Sequence, residues 1–321
     1  LADYLNSKYE SPAVAVGYDS RIKSDVFSKQ CAEVLAANGV KVFIFPRLMP
    51  TPFVSFSVMR LKCQSGVVIT ASHNPSKYNG YKCYDPEGYQ MTEEAALETY
   101  SFIQKVDMFG GAKRMDFDKA FEEGLIEYIS DDIIEEFYAE VLRRPINPEV
   151  IAESDIRIIY TPLNGTGNIP VRTVLSRAGF RNVKVVPQQE LPDGNFPTVK
   201  APNPEDPNAF TLAFKLAEEK QADVIIGTDP DSDRLGVALK DEKGEVLSEV
   251  VHYFSFPKDQ ELPEAKVSYK VKQQDGKCEV TLSAKQLARD IFVEIPIQGA
   301  KFTDNFFDLL PGESKKIVIT S

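Results

Sequence analysis

The sequence predicts an α/β protein made of two α/β domains followed by a small C-terminal β-sandwich. Three features of the 321-residue chain predict it. Between residues 13 and 130, strand-length apolar runs alternate with amphipathic helical patterns, and a second cycle of the same kind follows from residue 131. From about residue 250, short alternating segments are separated by turn residues, which is typical of antiparallel strands. We therefore expect domains at residues 1–130, 131–250 and 251–321.

The first domain is expected to consist of βαβ units. Its predicted elements are a strand at 13–17, a helix at 25–37, a strand at 40–45, a helix that begins at Thr51 and Pro52, and a strand at 66–70. Sheets of this kind bind ligands beyond the carboxyl ends of their strands. Ser72 lies at such an end.

The second domain is expected to repeat this plan. Its predicted elements are a helix at 131–144, a strand at 156–160, a helix at 170–178, a strand at 183–186, a helix at 208–220 and a strand at 222–226. The loop at residues 164–167, Asn-Gly-Thr-Gly, has the composition of a phosphate cradle, but short glycine loops before helices are common. We interpret it as a turn.

The C-terminal segment has the period of antiparallel strands. Strands are predicted at 267–271, 278–282, 292–295 and 317–319, and residues 273–277 carry a hairpin turn signal. This pattern favours a β-sandwich.

Composition and charge exclude several classes of partner. A net charge of −11 argues against nucleic acid, because binding there depends on clustered cations. The apolar runs are strand-length, and no signal-peptide pattern opens the chain, so no membrane contact is expected. The four cysteines, at 31, 63, 83 and 278, have no Cys-x-x-Cys spacing, so neither a zinc site nor a disulfide framework is indicated. A cytoplasmic location is predicted.

The first candidate site is the turn at residues 70–75, Thr-Ala-Ser-His-Asn-Pro, which ends an apolar strand on a serine. It presents the Ser72 hydroxyl at a strand tip as a nucleophile, and Lys82 lies shortly after it in the sequence. A cation nearby suits an oxyanion such as phosphate better than an acyl group. The alternative is that Ser72 is an ordinary turn or cap residue.

The second candidate site is the acidic loop at residues 229–234, Asp-Pro-Asp-Ser-Asp-Arg, which also follows an apolar strand. Asp229, Asp231 and Asp233 stand at alternate positions and offer the hard oxygen ligands that divalent cations prefer. The alternative is a solvated loop or a helix cap.

Together these two motifs resemble those of the alpha-D-phosphohexomutases, the phosphoglucomutase and phosphomannomutase superfamily. Residues 17–21 (Gly-Tyr-Asp-Ser-Arg), 161–167 (Thr-Pro-Leu-Asn-Gly-Thr-Gly) and 202–205 (Pro-Asn-Pro-Glu) add to the resemblance, which runs from about residue 10 to about residue 250. It implies the fold of two phosphohexomutase-type α/β domains.

The resemblance implies phosphotransfer on hexose phosphates through a phosphoserine at Ser72, by way of a hexose bisphosphate. It implies a Mg²⁺ ion that is held by Asp229, Asp231, Asp233 and the phosphorylated Ser72. The further roles it implies are oxyanion clamps at Arg21 and Arg234, phosphate or substrate binding at Asn74, and proton transfer or leaving-oxygen stabilisation by His73 and Lys82. On residue type alone, His73 would be a structural histidine, and Lys82 and Arg21 would face solvent.

The C-terminal segment resembles a different family. Residues 302–313, Phe-Thr-Asp-Asn-Phe-Phe-Asp-Leu-Leu-Pro-Gly-Glu, are similar to the closing immunoglobulin-like domain of family 2 glycoside hydrolases of beta-mannosidase type. The similarity extends over about residues 251–321, and in those enzymes the domain is accessory. The chain is therefore interpreted as a chimera, whether a natural fusion, an engineered chain or an assembly artefact.

Complete phosphohexomutases have four domains, and we find neither the Glu-x-Ser sugar loop of the third nor the phosphate-binding loop of the fourth beyond residue 250. We expect the phosphoryl-carrying and metal-binding half of such an enzyme, with glucose, mannose and pentose phosphates left open as substrates. Two alternatives remain: a noncatalytic accessory module of a beta-mannosidase-like glycoside hydrolase, and a chimeric chain without activity.

Overall fold

The computed structural model describes residues 1–107, 109–145, 148–239, 266–274, 277–285, 288–296, 300–309, 312 and 314–320. It forms two compact units, Leu1–Ser248 and Glu249–Ser321. The predicted boundary between residues 250 and 251 lies outside the described residues.

The first unit contains ten α-helices and nine strands among the described residues. The helices are α1 Ala2–Lys8, α2 Ser24–Ala37, α3 Thr51–Arg60, α4 Glu93–Ile103, α5 Phe117–Glu122, α6 Asp131–Leu142, α7 Pro148–Glu153, α8 Asn168–Ala178, α9 Pro187–Glu190 and α10 Thr211–Lys220. The strands are β1 Ala13–Tyr18, β2 Lys41–Ile44, β3 Ser65–Ile69, β4 Tyr81–Tyr84, β5 Ile126–Tyr128, β6 Arg157–Thr161, β7 Asn182–Val185, β8 Val224–Thr228 and β9 Leu235–Leu239.

These strands form two sheets of closely similar topology. The first has the order β4-β3-β1-β2-β5 and the second the order β9-β8-β6-β7. In each, one outer strand runs antiparallel to its neighbour: β4 pairs with β3, and β9 with β8. All the other pairs are parallel. The predicted pair of α/β domains is confirmed.

The sequence patterns missed the two antiparallel return strands. β4 has the mixed, partly exposed sequence Tyr-Lys-Cys-Tyr and lacks the continuous apolar run that marked the inner strands. β9 does have an apolar run, Leu-Gly-Val-Ala-Leu, but no strand is predicted there. β4 and β9 follow the two candidate loops in the chain. Because each pairs with the strand that precedes its loop, residues on these strands lie near the loops. The predicted helix at 208–220 also differs in part: Pro207–Phe210 is a 3₁₀-helix, and α10 begins at Thr211.

The inner strands of the first sheet are mostly buried because helices cover both of its faces. On one face of β1, Val14 and Val16 pack in a cluster with Leu35 of α2. On the other, Ala15 packs in a cluster with Val54 and Val58 of α3.

Two glycines let α3 lie close against the sheet. A Cβ atom on Gly17 of β1 would lie 2.4 Å from Cγ2 of Val54, and one on Gly66 of β3 would lie 2.6 Å from Cγ2 of Val58. Real Cβ atoms do not approach so closely, so each position requires a residue without a side chain. Gly17 and Gly66 therefore allow a short distance between α3 and the sheet. This distance sets the position of the N-terminus of α3, which contacts the candidate site.

The second unit is antiparallel. Its strands are β10 Val267–Gln274, β11 Lys277–Ala284, β12 Ala288–Ile291, β13 Lys301–Phe302, β14 Phe307–Leu309 and β15 Ser314–Thr320. They form a four-stranded sheet, β10-β11-β15-β13, and a two-stranded sheet, β12-β14. Gln274 pairs with Lys277 as a hairpin requires, although the turn residues 275 and 276 lie outside the described residues. The predicted small β domain is confirmed.

The predicted strand at 292–295 is wrong. The strand in this region is β12, and residues 292–295 follow it without pairing as a strand. The side chain of Asn305 explains the difference: its Oδ1 accepts from the Val293 N–H at 2.8 Å, and its Nδ2 donates to the Val293 carbonyl at 2.9 Å. An amide side chain thus takes the place of a neighbouring strand.

Among the described residues, no helix is long and apolar enough to cross a membrane.

The close approach of α3 yields a prediction about stability. Gly17→Ala places a methyl group against Val54, and we expect it to lower the free energy of unfolding by about 1–3 kcal/mol, the usual effect of overpacking. Urea-induced unfolding measures this. In a Gly17→Ala, Val54→Ala double variant the clash is relieved, so the combined loss should be smaller than the sum of the single losses. Additive losses would contradict the proposed contact.

Candidate active site

Ser72 lies in a strained turn just beyond the end of β3. Its φ is 51°, in the left-handed region that residues other than glycine adopt at a cost of about 1–2 kcal/mol. Its N–H donates to Oγ1 of Thr70 at 2.8 Å, and its Oγ donates to Oδ2 of Asp229 at 2.7 Å. The serine is buried, with 8% of its surface exposed. The first candidate loop thus meets the second through a direct hydrogen bond.

Arg21 holds this loop from the inside. Its Nη1 donates to the carbonyls of Pro75 and Tyr78, and its Nη2 donates to those of Ser72 and Asn74, at 2.5–3.0 Å. All four terminal N–H groups are therefore taken up by backbone carbonyls. The guanidinium of Arg21, which is expected to be an oxyanion clamp, is buried within the loop, and its terminal donors are directed at backbone carbonyls.

Asp19 and Phe196 hold Arg21 in turn, and sequence reasoning assigned no role to either. Oδ2 of Asp19 lies 3.4 Å from Nε of Arg21 and accepts from Oγ1 of Thr70 at 2.7 Å. Burial raises the pKa of Asp19 to about 6, against the opposing effect of these donors. The ring of Phe196, from the second α/β domain, lies 5.1 Å from the Arg21 guanidinium carbon, within the range of a cation–π contact. Asp19 lies inside the motif at 17–21, but no sequence signal marked Phe196.

The three aspartates of the acidic loop lie together. One carboxylate oxygen from each of Asp229, Asp231 and Asp233 can be chosen so that all lie within 4.8 Å of one another. Asp229 and Asp231 are fully buried, whereas Asp233 is exposed. Oδ1 of Asp231 is buried and has no hydrogen-bond partner among the described residues. A cluster of hard oxygens with one unsatisfied buried atom fits a divalent cation.

The loop at 164–167 packs against the acidic loop and donates hydrogen bonds to it. The N–H and Oγ1 of Thr166 both donate to the carbonyl of Pro230, at 2.8 and 2.9 Å. A Cβ on Gly165 would lie 2.4 Å from Cα of Pro230, and one on Gly167 would lie 2.7 Å from Oγ of Ser232. The glycines are thus explained by close packing of two loops.

Lys82 faces the acidic loop from strand β4. Its Nζ donates to Oδ2 of Asp231 and to Oδ2 of Asp233, each at 2.7 Å. Burial lowers the pKa of Lys82, but the two carboxylates outweigh burial and raise the pKa above the ordinary value. Lys82 is therefore a permanent cation, suited to stabilising negative charge and unsuited to accepting a proton.

Three predicted residues remain: His73, Arg234 and Asn74. Nδ1 of His73 lies 3.3 Å from Oγ of Ser72, and burial, with Arg234 adding to it, lowers the pKa of His73. Nη1 of Arg234 donates to Oε1 of Glu205 at 2.6 Å, and its side chain is partly exposed. Asn74 is exposed, and its described contacts come from its backbone. The sequence indicates Glu205 only as part of the motif at 202–205 and gives no sign of its contact with Arg234.

The electrostatics of the site favour a bound cation. Burial and the neighbouring charge of Asp231 raise the pKa of Asp229 to about 8. Burial also raises the pKa of Asp231, but Lys82 and the hydrogen bonds to this carboxylate lower it below its usual value. Two adjacent buried carboxylates ionise together only where positive charge compensates them.

Family models match both units of the chain. The model described as phosphoglucomutase/phosphomannomutase, alpha/beta/alpha domain I, matches residues 1–108, and that for domain II matches residues 135–244. An Ig-fold domain model of mannosidase type matches residues 262–321.

Individual relatives agree. A phosphoglucomutase of Staphylococcus saprophyticus is 39% identical over 236 residues, which are 74% of this chain and 42% of the relative. A Haemophilus influenzae protein named as a probable phosphomannomutase is 36% identical over 247 residues, 76% of this chain and 49% of the relative. The solved structure of a phosphomannomutase-type protein of Thermus thermophilus has a TM-score of 0.63 and 26% identity, over 74% of this chain and 50% of that one.

The chain spans about half the length of these relatives. The two phosphoglucomutase/phosphomannomutase domain models cover the Ser72 loop and the acidic loop, and the Ig-fold match begins after both. The chain therefore belongs to the phosphoglucomutase/phosphomannomutase family through its domains I and II, which are followed by an Ig-fold domain of mannosidase type.

Proposed function

We propose that this chain carries a phosphoryl group on Ser72 and exchanges it with hexose phosphates, in the manner of a phosphoglucomutase or phosphomannomutase. The observation that carries the proposal is the 2.7 Å hydrogen bond from Oγ of Ser72 to Asp229, which places a buried hydroxyl beside three clustered carboxylates. A neutral acyl substrate would gain nothing from such a site, whereas a phosphoryl group with a cation fits it.

The proposed reaction consists of two phosphoryl transfers. In the first, a hydroxyl of the hexose phosphate attacks the phosphorus on Ser72: the new O–P bond forms, the Oγ–P bond breaks, the hydroxyl gives its proton to water, and Oγ takes a proton from water. In the second, Oγ gives up its proton and attacks the other phosphoryl group of the hexose bisphosphate: a new Oγ–P bond forms, the bond between that phosphorus and the sugar oxygen breaks, and the sugar oxygen takes a proton from water. His73 is proposed to accept the Oγ proton in the second transfer, because its Nδ1 is 3.3 Å away and its lowered pKa keeps it neutral near pH 7.

Asp229, Asp231 and Asp233 are proposed to hold Mg²⁺, with the phosphorylated Ser72 completing the set. The fit rests on the oxygen donors and on the unsatisfied Oδ1 of Asp231. When bound, the ion neutralises charge on the phosphoryl oxygens. Lys82 adds a fixed positive charge beside Asp231 and Asp233.

Arg234 is proposed to bind phosphate, held by Glu205 while part of its guanidinium faces solvent. Asn74 is proposed to assist with its exposed side chain. For Arg21 the proposal differs from the sequence-based expectation: its role is to fix the shape of the Ser72 loop, and it contacts no substrate.

The first prediction concerns the phosphorylated residue. Incubation of the full chain with glucose 1,6-bisphosphate and Mg²⁺ should add the mass of one phosphoryl group, and Ser72→Ala should abolish the addition because the transfer requires Oγ of Ser72. Intact-protein mass spectrometry measures this. Ser76→Ala, in the same loop, is the matched control and should be phosphorylated normally. No addition to the wild-type chain would refute the proposal.

The second prediction concerns the cation. Chelation by EDTA should slow phosphorylation of Ser72 by at least about 100-fold, since a bound ion supplies several kcal/mol of charge stabilisation. Added Mg²⁺ should restore the rate, and Asp231→Asn should reproduce the defect at any Mg²⁺ concentration. The exposed Asp132→Asn serves as control. Equal rates with and without EDTA would remove the metal from the proposal.

The third prediction separates the two arginines. Lysine cannot satisfy four carbonyls, so Arg21→Lys should lower the free energy of unfolding by about 1–3 kcal/mol and also slow phosphorylation. Arg234→Lys should slow phosphorylation with a stability change within about 0.5 kcal/mol, because an exposed ion pair contributes little. Thermal unfolding and the mass assay compare them. The reverse pattern would return Arg21 to the role of a clamp.

A further inference from the structure

Thr51 connects helix α3 to the acidic loop, although the sequence marked it only as a helix start. Its N–H donates to the carbonyl of Asp231 at 2.9 Å, and its Oγ1 donates to Oδ2 of the same residue at 3.2 Å. Thr51 is 4% exposed and Asp231 is fully buried. The two residues are 180 positions apart and belong to different α/β domains.

The contact caps the N-terminus of α3 and gives hydrogen-bond donors to the buried Asp231. The first amides of a helix have no partner within the helix, and Pro50, which precedes α3, offers no side-chain cap. The Asp231 carbonyl accepts the Thr51 N–H in place of a cap. The carboxylate of Asp231 lies at the positive end of a ten-residue helix, where negative charge is favoured.

The contact also determines which oxygen of Asp231 is free. Oδ2 accepts from both Oγ1 of Thr51 and Nζ of Lys82, whereas Oδ1 is buried without a hydrogen-bond partner among the described residues. A carboxylate held through one oxygen by two donors from different elements cannot rotate without breaking one of them. The position of Oδ1 within the carboxylate cluster is thereby fixed.

Thr51 is itself held in place by the packing of α3. The helix lies close to the sheet above Gly17 and Gly66, and its Val54 and Val58 fill the space that those glycines leave. The hydroxyl of Thr51 therefore reaches Asp231 from a rigid element, which is what precise orientation of a ligand requires.

We propose that Thr51 is a positioning residue for the cation, orienting Asp231 through its hydroxyl so that Oδ1 is presented to Mg²⁺. This inference rests on the proposed function, because it assumes that the aspartate cluster binds the ion. Partners that orient metal ligands typically change metal affinity 10–100-fold when removed. Metal binding would then depend on a side chain from the domain that carries Ser72.

The test is isothermal titration of Mg²⁺ into the full chain, with no substrate present. Thr51→Val keeps the backbone N–H and the shape but removes the hydroxyl, and we expect it to weaken Mg²⁺ binding at least about 10-fold. Thr51→Ser restores the hydroxyl and should bind within about threefold of the wild type. That rescue distinguishes orientation from a merely structural role.

Ser57→Ala is the matched control. Ser57 is another buried hydroxyl of α3, but it donates to the carbonyl of Phe53 within the helix and does not contact the acidic loop. It should leave Mg²⁺ affinity unchanged even where it lowers stability. Should Thr51→Val fail to fold, Thr51→Ala removes the same hydroxyl and is judged by the same criterion.

Two results would overturn the inference, and they differ in what else they affect. Wild-type affinity in Thr51→Val, together with loss of binding in Asp231→Asn, would refute the role of Thr51 and leave the proposed metal site intact. Absence of Mg²⁺ binding in the wild-type chain would refute the metal site of the proposed function and the inference with it.

Discussion

Two carboxylates buried side by side, those of Asp229 and Asp231, are the constraint on which the site depends. Ions are removed from water only at a large cost, so the protein must supply hydrogen bonds and positive charge around them. The Ser72 hydroxyl and the Arg234 amide donate to Asp229, and Thr51 and Lys82 donate to Asp231. Three of these four donors come from the first α/β domain. The burial of the acidic loop therefore couples the two domains at the point where the chemistry is proposed.

The common topology of the two sheets explains why the loops meet. Each sheet has an inner strand, β3 or β8, that ends in a candidate loop, and after each loop the chain returns as an antiparallel outer strand. The return strands carry functional groups with them: Lys82 lies on β4, and Arg234 immediately precedes β9. Lys82 donates to the carboxylates of Asp231 and Asp233 in the other domain, whereas Arg234 donates to Asp229 of its own loop through its backbone amide and pairs with Glu205 through its side chain.

The loops are held by groups that face inward. Arg21 uses its terminal donors on four carbonyls of the Ser72 loop, and Thr166 places two donors on the carbonyl of Pro230. Left-handed backbone at Ser72 and Ser232 is unfavourable locally and persists because these contacts determine it. Preorganisation of this kind suits phosphoryl transfer, in which the protein contributes mainly position and charge.

The sequence by itself determined the buried strands and the residue types that the two loops carry. Continuous apolar runs predicted the buried strands, and the motifs around Ser72 and Asp229 predicted both loops, because residue type and short spacing record local structure directly. Which residues support those loops was decided only by the tertiary structure. Thr51 and Phe196 gave no functional signal, and Arg21 was expected to face a ligand, since hydrogen bonds between residues far apart in the chain leave no local pattern. Likewise, the strand predicted at 292–295 gave way to the contact of Asn305 with Val293. A short apolar run has the propensity to form a strand, but only packing decides which partner takes its backbone hydrogen bonds.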